Sequence, residues 1–463
     1  MSVTDRSLAA SVGLYPPTVL PPPQPLPLGR FLAGFVRNPL RTLPRQAYEQ
    51  SLTVHRLRSG GKVAWVSDPD LVEQILLHRQ EDFPKTPVER RIFVPTLGQG
   101  ILTAEGAEWR WQRRTVAPLF RHQELLNHVP SMVGAADELA KRWRLSTPGS
   151  EQAIDRDMTD LTYEVITHTI LAGGTTADDA AIKKAAERLL ATTSWEIAYA
   201  LIGLPSWVWH PAKATARHAA AELRTIVGRI LARRRVESRR EDLLARLLAA
   251  TDPETGQPMS DEQLIDNLLT FLLAGHETTA KALTWALYLL ARAPDWQDRL
   301  RAEIAAVRGN DTLAARHVDR LAETRKVIKE AMRLYPPVAL MSRLVGRDVE
   351  LGGQLLERGT VIVIPIYAIH RHRTLWEDPG RFDPERFAPG AEAQHRRTQF
   401  MPFGFGPRTC IGNSFAMIEA TALLAALLGA ARFEWNGHHE PEPVNRVTLR
   451  PINGMPLRVT MVA

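Results

Sequence analysis

Phe403–Gly412 reads Phe-Gly-Phe-Gly-Pro-Arg-Thr-Cys-Ile-Gly and holds the one cysteine of the chain. No other stretch narrows the fold so far. Gly404, Gly406 and Gly412 let backbone approach a bulky group closely, and Asn413–Leu428 then reads as a helix whose first amides point back at the sulfur. A single cysteine is ordinarily a small buried hydrophobe. Set among glycines and ahead of a helix N-terminus, Cys410 is instead expected to favour the thiolate, the form that binds metal.

Composition closes off several alternatives. At 463 residues, 44% hydrophobic and 24% charged, the chain can bury a large core, and no repeat or linker divides it after the first thirty or so residues. A lone cysteine excludes an intrachain disulfide and suits a reducing compartment. The net charge of +7 is spread along the chain without a long Lys/Arg block. That speaks against nucleic-acid binding and for a basic face toward an acidic protein. The N-terminus lacks the pattern of a signal peptide or anchor. The apolar run Ala420–Ala431 falls short of the roughly 18 residues needed to span a bilayer, so a soluble protein is expected.

Residues 15–28 contain Pro16, Pro17, Pro21, Pro22, Pro23, Pro25 and Pro27 and read as an extended surface arm. Thr53–Leu57 and Lys62–Ser67 flank Ser59-Gly60-Gly61 as a hairpin. Helical signals then dominate. Trp109 and Arg113 stand four apart on one helical face, where they can hydrogen-bond one anionic group, or form a solvated basic face; Arg114 points outward. Amphipathic helices fill residues 125–250, broken around Pro205 and Pro211. There the aromatic-rich connection Trp195–Trp209 reads as an apolar lid or as ordinary helix packing. Ser260-Asp-Glu-Gln is a capping box opening the longest helix signal, which runs to about Ala293. Within it Ala274-Gly275-His276-Glu277-Thr278-Thr279 interrupts an apolar face. Thr hydroxyls there can bond back to carbonyls, Gly275 leaves room beside the backbone, and a carboxylate next to a hydroxyl can move protons. His276 lacks a second ligand at metal-binding spacing. Glu330 and Arg333 share a face of helix 319–335, Val349–Leu351 and Thr360–Ile366 form a second β-prone region, and Val447–Leu449 with Leu457–Met461 read as a hairpin around Asn453-Gly454.

Taken in this order, the motifs resemble the cytochrome P450 superfamily over nearly the whole chain. Phe403, Gly406, Arg408, Cys410 and Gly412 match its haem-loop pattern at every stated position. The resemblance implies a mainly α fold with small β-sheets and a long central helix over the haem. It also implies a Pro-rich arm over residues 1–45 and a single catalytic domain over 46–463. It makes Cys410 the axial thiolate of a haem b iron and Glu277 with Thr278 the acid–alcohol pair that relays protons. Trp109, Arg113, Arg343 and Arg408 become partners of the haem propionates. Glu330, Arg333 and Arg386 become a buried charge triad behind the loop.

The activity so implied is monooxygenation: one atom of dioxygen enters a C–H bond of a small lipophilic substrate such as a fatty acid or terpenoid. Electrons come from NAD(P)H through a ferredoxin or flavodoxin-type donor and its reductase, since one cysteine cannot hold an iron–sulfur cluster. A cytoplasmic monomer is expected. A peroxide-driven peroxygenase and a non-catalytic haem or lipophile carrier are the alternatives. Residues Ile92–Leu97 and Val338–Met341 fall where family members line the pocket. Arg90 or Arg91 could hold a substrate carboxylate, with surface placement the simpler reading.

Overall fold

The helix predicted from Ser260 is present as Asp261–Arg292 in the computed structural model, which describes residues 13–462 other than 25, 57–60, 148, 171–175, 202–203, 205–206, 211 and 237–242. Its start is set by the reciprocal cap: the Gln263 amide donates to Ser260 Oγ at 3.3 Å and the Ser260 amide to Gln263 Oε1 at 2.8 Å. Its 32 residues span about 48 Å. From Leu283 to Leu290 its side chains are buried on all faces, the signature of a helix running through a core.

In chain order the longer helices are α1 Leu28–Arg37, α2 Pro87–Leu97, α3 Gly106–Val116, α4 Val129–Arg144, α5 Ile154–Ile170, α6 Thr176–Leu201, α7 Lys213–Val236, the central α8 Asp261–Arg292, α9 Pro294–Arg308, α10 Ala322–Leu334 and α11 Asn413–Ala430. Helix α5 lies along α8, and α11 packs on α4, α8, α9 and α10. At 18 residues α11 is longer than the dozen read from its apolar run. By length and composition it could cross a membrane, yet it is a core helix, with Leu423, Leu424, Leu427 and Leu428 all inaccessible.

Strands are short. β1 Leu52–Arg56 and β2 Lys62–Val66 form the expected hairpin, with Leu52 opposite Val66; the tip, 57–60, lies outside the described residues. β2 continues parallel to β7 Val361–Ile364, which pairs antiparallel with β4 Met341–Leu344. β5 Val349–Leu351 and β6 Gln354–Leu356 turn through Gly352 and Gly353, both at positive φ. The remaining strands are β3 Glu151–Ala153, β8 Ala431–Glu434, β9 Glu442–Asn445, β10 Leu449–Ile452 and β11 Pro456–Met461. The C-terminal hairpin expected around Asn453-Gly454 is not formed. The turn exists, with φ of 64° and 82°, but β10 pairs with β9 while β11 runs between β3 and β8. Distant strands win that competition because each buries a face that a local hairpin would expose.

The proline-rich arm is bound to the body. Tyr335 donates its hydroxyl to Pro17 O at 2.8 Å, the Val19 amide donates to the Tyr367 hydroxyl at 3.1 Å, and the Phe382 amide donates to Leu14 O at 2.9 Å. Prolines along the arm supply no amides of their own to pair its backbone groups, so the body supplies the partners: the Tyr335 hydroxyl for Pro17 O, the Tyr367 hydroxyl for the Val19 amide and the Phe382 amide for Leu14 O.

Candidate functional site

The Cys410 loop is shaped by glycine and closed by backbone. Gly404 and Gly406 sit at φ 72° and 75°, and a Cβ on Gly406 would lie 2.2 Å from Leu76 O. The Cys410 amide donates to Phe403 O at 2.8 Å, and the Gly404 amide to Met401 O at 3.1 Å. The sulfur is accessible, yet protein surrounds it on most sides. Burial pushes the thiol above its ordinary value, opposed by the Gly412 amide and by the Arg113 guanidinium. The helix start and Arg113 act in the direction read from the sequence, reducing the penalty of ionisation without removing it, and a coordinated metal would complete it.

A second accessible patch lies on α8. Between Asp266 and Leu290 every residue is buried except Leu273, Ala274, Gly275 and Thr278, of which Ala274 is the exposed one and the others are half-buried. Ala274 and Thr278 are one turn apart, so they share a face. Thr278 donates to Ala274 O at 2.8 Å. Gly275 serves a different purpose from the one read in the sequence: its added Cβ would meet Ile166 Cδ1 at 2.8 Å, so its smallness seats α5. His276 is a buried neutral ring, its Nδ1 on Leu272 O at 2.8 Å and its face against Tyr163; burial holds it below the usual histidine value. Glu277 is buried and is not hydrogen-bonded to Thr278. Its Oε1 accepts from Thr448 Oγ1 at 2.7 Å and faces Arg450 Nη2 at 3.2 Å.

Near the Cys410 loop Arg113, Arg343 and Arg408 gather without an ion pair among the described residues, with Glu89 and Glu105 the carboxylates that act on Arg343 and Arg408, and Lys85 close by is paired with Glu89 at 2.7 Å. Arg408 stacks on Trp109 at 4.1 Å and donates to Ala104 O. Among the described residues Arg343 donates only to its neighbour's carbonyl, Ser342 O. Arg113 faces the Cys410 charge. Burial, then Arg343, brings Arg408 down to about 10. Lys85, which the motifs did not reveal, is depressed by burial with Arg408 and Arg343 nearby. Like charges at half-buried positions disfavour one another, and a dianionic group would relieve them. Arg114 points away as read, onto Asp252 and Glu254.

Behind the loop, Arg333 grips Glu330 with two bonds, 2.7 and 2.8 Å, both side chains fully buried. Arg386 is 3.8 Å from Glu330. Arg333 also donates to His370 O at 2.8 Å, and His370 Nε2 accepts the Met401 amide at 3.1 Å. Burial and Arg333 press His370 down to about 3, so its ring is a dependable acceptor. A hydrogen-bonded chain thus runs from Glu330 to Met401, whose carbonyl holds Gly404. His370 carries no motif and was legible only from the fold.

The outer residues are arranged differently from the reading. Arg91 is tied by Nε to Glu196 at 2.8 Å and bonds Leu204 O, so it is neither free nor on the surface. Arg90 is half-exposed near Glu105. Trp207 and Trp209 are 79% and 70% exposed; residues 202–203, 205–206 and the side chain of Trp195 lie outside the described residues.

A haem suits these residues on three counts. A thiol lies at the foot of α11, an accessible stripe interrupts α8, and Arg113, Arg343 and Arg408 gather with no ion pair among the described residues, beside Lys85, which is paired with Glu89. The comparisons with known proteins agree. A family model described as Cytochrome P450 matches residues 20–457. The chain is 32% identical over 443 residues to cyclooctatin synthase of Streptomyces melanosporofaciens, covering 94% of each. It is 32% identical over 410 residues to cytokinin hydroxylase of Arabidopsis thaliana, 85% of this chain and 77% of that one. It is 31% identical over 408 residues to 11-oxo-beta-amyrin 30-oxidase of Medicago truncatula, 84% and 76%. The crystal structure of the cytochrome P450DA heme domain superposes with a TM-score of 0.82 at 26% identity, covering 97% of this chain and 98% of that one.

Proposed function

This chain belongs to the cytochrome P450 family, and from that premise we propose that it hydroxylates a C–H bond of an uncharged or weakly polar lipophile, using dioxygen and electrons from a separate donor protein. The observation that carries the reading is the pairing of an accessible Cys410 with the one accessible stripe of α8. When bound, a haem iron with thiolate ligation supplies the oxidising chemistry, the thiolate pushing electron density toward the metal and favouring O–O cleavage.

The chain's own residues would do the rest. Cys410 would ligate the iron, with the Gly412 amide and Arg113 stabilising its charge. Arg113, Arg343 and Arg408, with the Trp109 indole, would hold the propionates, and Lys85 adds a further cation. Thr278, on the accessible face, would hold a water or hydroxyl proton there, and Glu277 beside it in sequence would resupply that proton. Apolar Leu273, Ala274 and Phe93 leave little to pair with a charged substrate. The relatives named hydroxylase and oxidase favour C–H oxidation, and the Arg91–Glu196 pair disfavours a free carboxylate anchor at α2.

A ferredoxin or flavodoxin-type donor fits the basic balance of the chain, and the lone cysteine fits a reducing cytoplasm. The test is direct. Purified enzyme reduced under carbon monoxide should give the thiolate-type absorbance band, and Cys410→Ala should lose it. Oxidised product should require NAD(P)H, donor and oxygen. Product with peroxide alone, and none with oxygen plus donor, would replace monooxygenation by peroxygenation.

A further inference from the structure

Glu277 faces a strand from the far end of the chain. Thr448 and Arg450 flank Leu449 and so project from the same face of the backbone. That segment is pinned: the Leu449 amide donates to Pro337 O at 2.9 Å, and Trp285 Nε1, two turns beyond Glu277 on α8, donates to Leu449 O at 3.3 Å. Both contacts to the carboxylate fall on one oxygen. Thr448 Oγ1 and Arg450 Nη2 meet Oε1, while Oε2 has no hydrogen bond among the described residues. Glu277 is 7% exposed and Arg450 34%, so the guanidinium joins a buried carboxylate to solvent. One turn further along α8, the Lys281 ammonium donates to Thr159 Oγ1 at 3.0 Å and lies near enough to Glu277 to feel its charge, without hydrogen-bonding it.

A pair that only braced the C-terminal sheet against α8 would be expected to use both oxygens, as Glu330 does with Arg333. An ionised carboxylate has about four acceptor sites, and holding one oxygen while leaving the other open fixes orientation and preserves a place for a proton. We infer that Thr448 and Arg450 are positioning residues for proton delivery through Glu277. They hold its carboxylate by one oxygen and aim the other, and Arg450 gives it contact with solvent water. Glu277 takes up a proton from that water and then passes it toward Thr278, which leaves the carboxylate ionised again, while the hydroxide left behind is neutralised by bulk solvent.

The inference rests on the Glu277–Thr278 reading above, and the variants separate the two. Oxygen consumption by the haem-loaded enzyme, driven by NADPH, a ferredoxin and its reductase, is compared in H2O and D2O across pH. Thr448→Val and Arg450→Met should each slow it about tenfold or more and enlarge the solvent isotope effect, because Glu277 loses the groups that aim its carboxylate and join it to solvent. Arg450→Lys should restore most of the rate. Arg450→Met should add nothing to Glu277→Gln, as for residues acting as a unit. In thermal unfolding of the same proteins, Arg450→Met should lower the midpoint less in the Glu277→Gln background than in wild type. A lowered midpoint in Arg450→Met with wild-type rate and isotope effect would reduce the contact to a brace and overturn the inference. A Glu277→Gln enzyme as fast as wild type would overturn the acid–alcohol reading itself.

Discussion

Gly406 admits no side chain. An alanine there would place its Cβ 2.2 Å from the carbonyl oxygen of Leu76, at φ 75°, and backbone on both sides leaves nothing flexible to move. Overpacking and the left-handed conformation together are worth roughly 2–4 kcal/mol. Gly406→Ala should therefore lower the denaturant midpoint and reduce haem retained per chain, read from the ratio of haem to protein absorbance. Gly412→Ala should be milder, since its Cβ would sit at an ordinary 3.8 Å from the sulfur. Glu419, on α11, is a different single-residue case. Both its carboxylate oxygens are buried without a hydrogen-bond partner; burial raises it to about 8, with the neighbouring Thr279 hydroxyl opposing. A raised carboxyl binds its proton more tightly in the folded chain. Its contribution is complete below the unfolded value near 4.5 and fades as pH climbs to about 8, at roughly 1.4 kcal/mol per unit. Glu419→Gln should remove that slope and raise the thermal midpoint more at pH 8 than at pH 5. An equal change at both pH values would mean that Glu419 is already ionised in the folded state.

Elements differ in how far their sequences determine them. Helix α8 was legible because its cap, its apolar stripe and the Pro294 stop are local, and α10 kept its Glu330–Arg333 spacing for the same reason. The loop motif located Cys410 and Arg408 from ten residues. Arg450, Thr448, His370 and Lys85 carry no such signal. Thr448 and Arg450 act through Glu277, more than 170 residues away, and His370 joins Arg333 and Met401, 37 and 31 residues from it, so only packing brings them together, as with the misassigned C-terminal hairpin. The Glu330–Arg333 pair shows what the local signal omits: spacing predicts an ion pair, but not that both groups are inaccessible and linked through His370 O to the Cys410 loop. Arg333→Lys keeps the charge and loses the fork that serves Glu330, His370, Pro379 and Arg381 at once. Stranding buried acceptors and a half-paired carboxylate should destabilise the protein by roughly 3–5 kcal/mol. The measurement is chemical denaturation beside the carbon monoxide spectrum, where loss of the thiolate-type band should accompany loss of stability.

At the scale of the whole molecule, charge and architecture meet on helix α3. Its inner face carries Trp109 and Arg113 toward the Cys410 loop, while Arg110, three residues from Arg113, is exposed and makes no ion pair among the described residues. Most other arginines near exposed carboxylates are already paired, as Arg114 is with Asp252 and Arg397 with Glu73. The net charge of +7 therefore has an unanswered component close to the thiolate side, where an electron donor gains most from approaching. Exposed charges act mainly on encounter and are screened within about 10 Å at 0.1 M salt. Arg110→Glu should raise the apparent KM for an acidic ferredoxin several-fold at low ionic strength, and the gap from wild type should close as salt is added. The carbon monoxide spectrum and thermal midpoint should stay at wild-type values, because Arg110 touches neither the loop nor the core. A KM that is unchanged at low salt would place the donor on another face of the molecule.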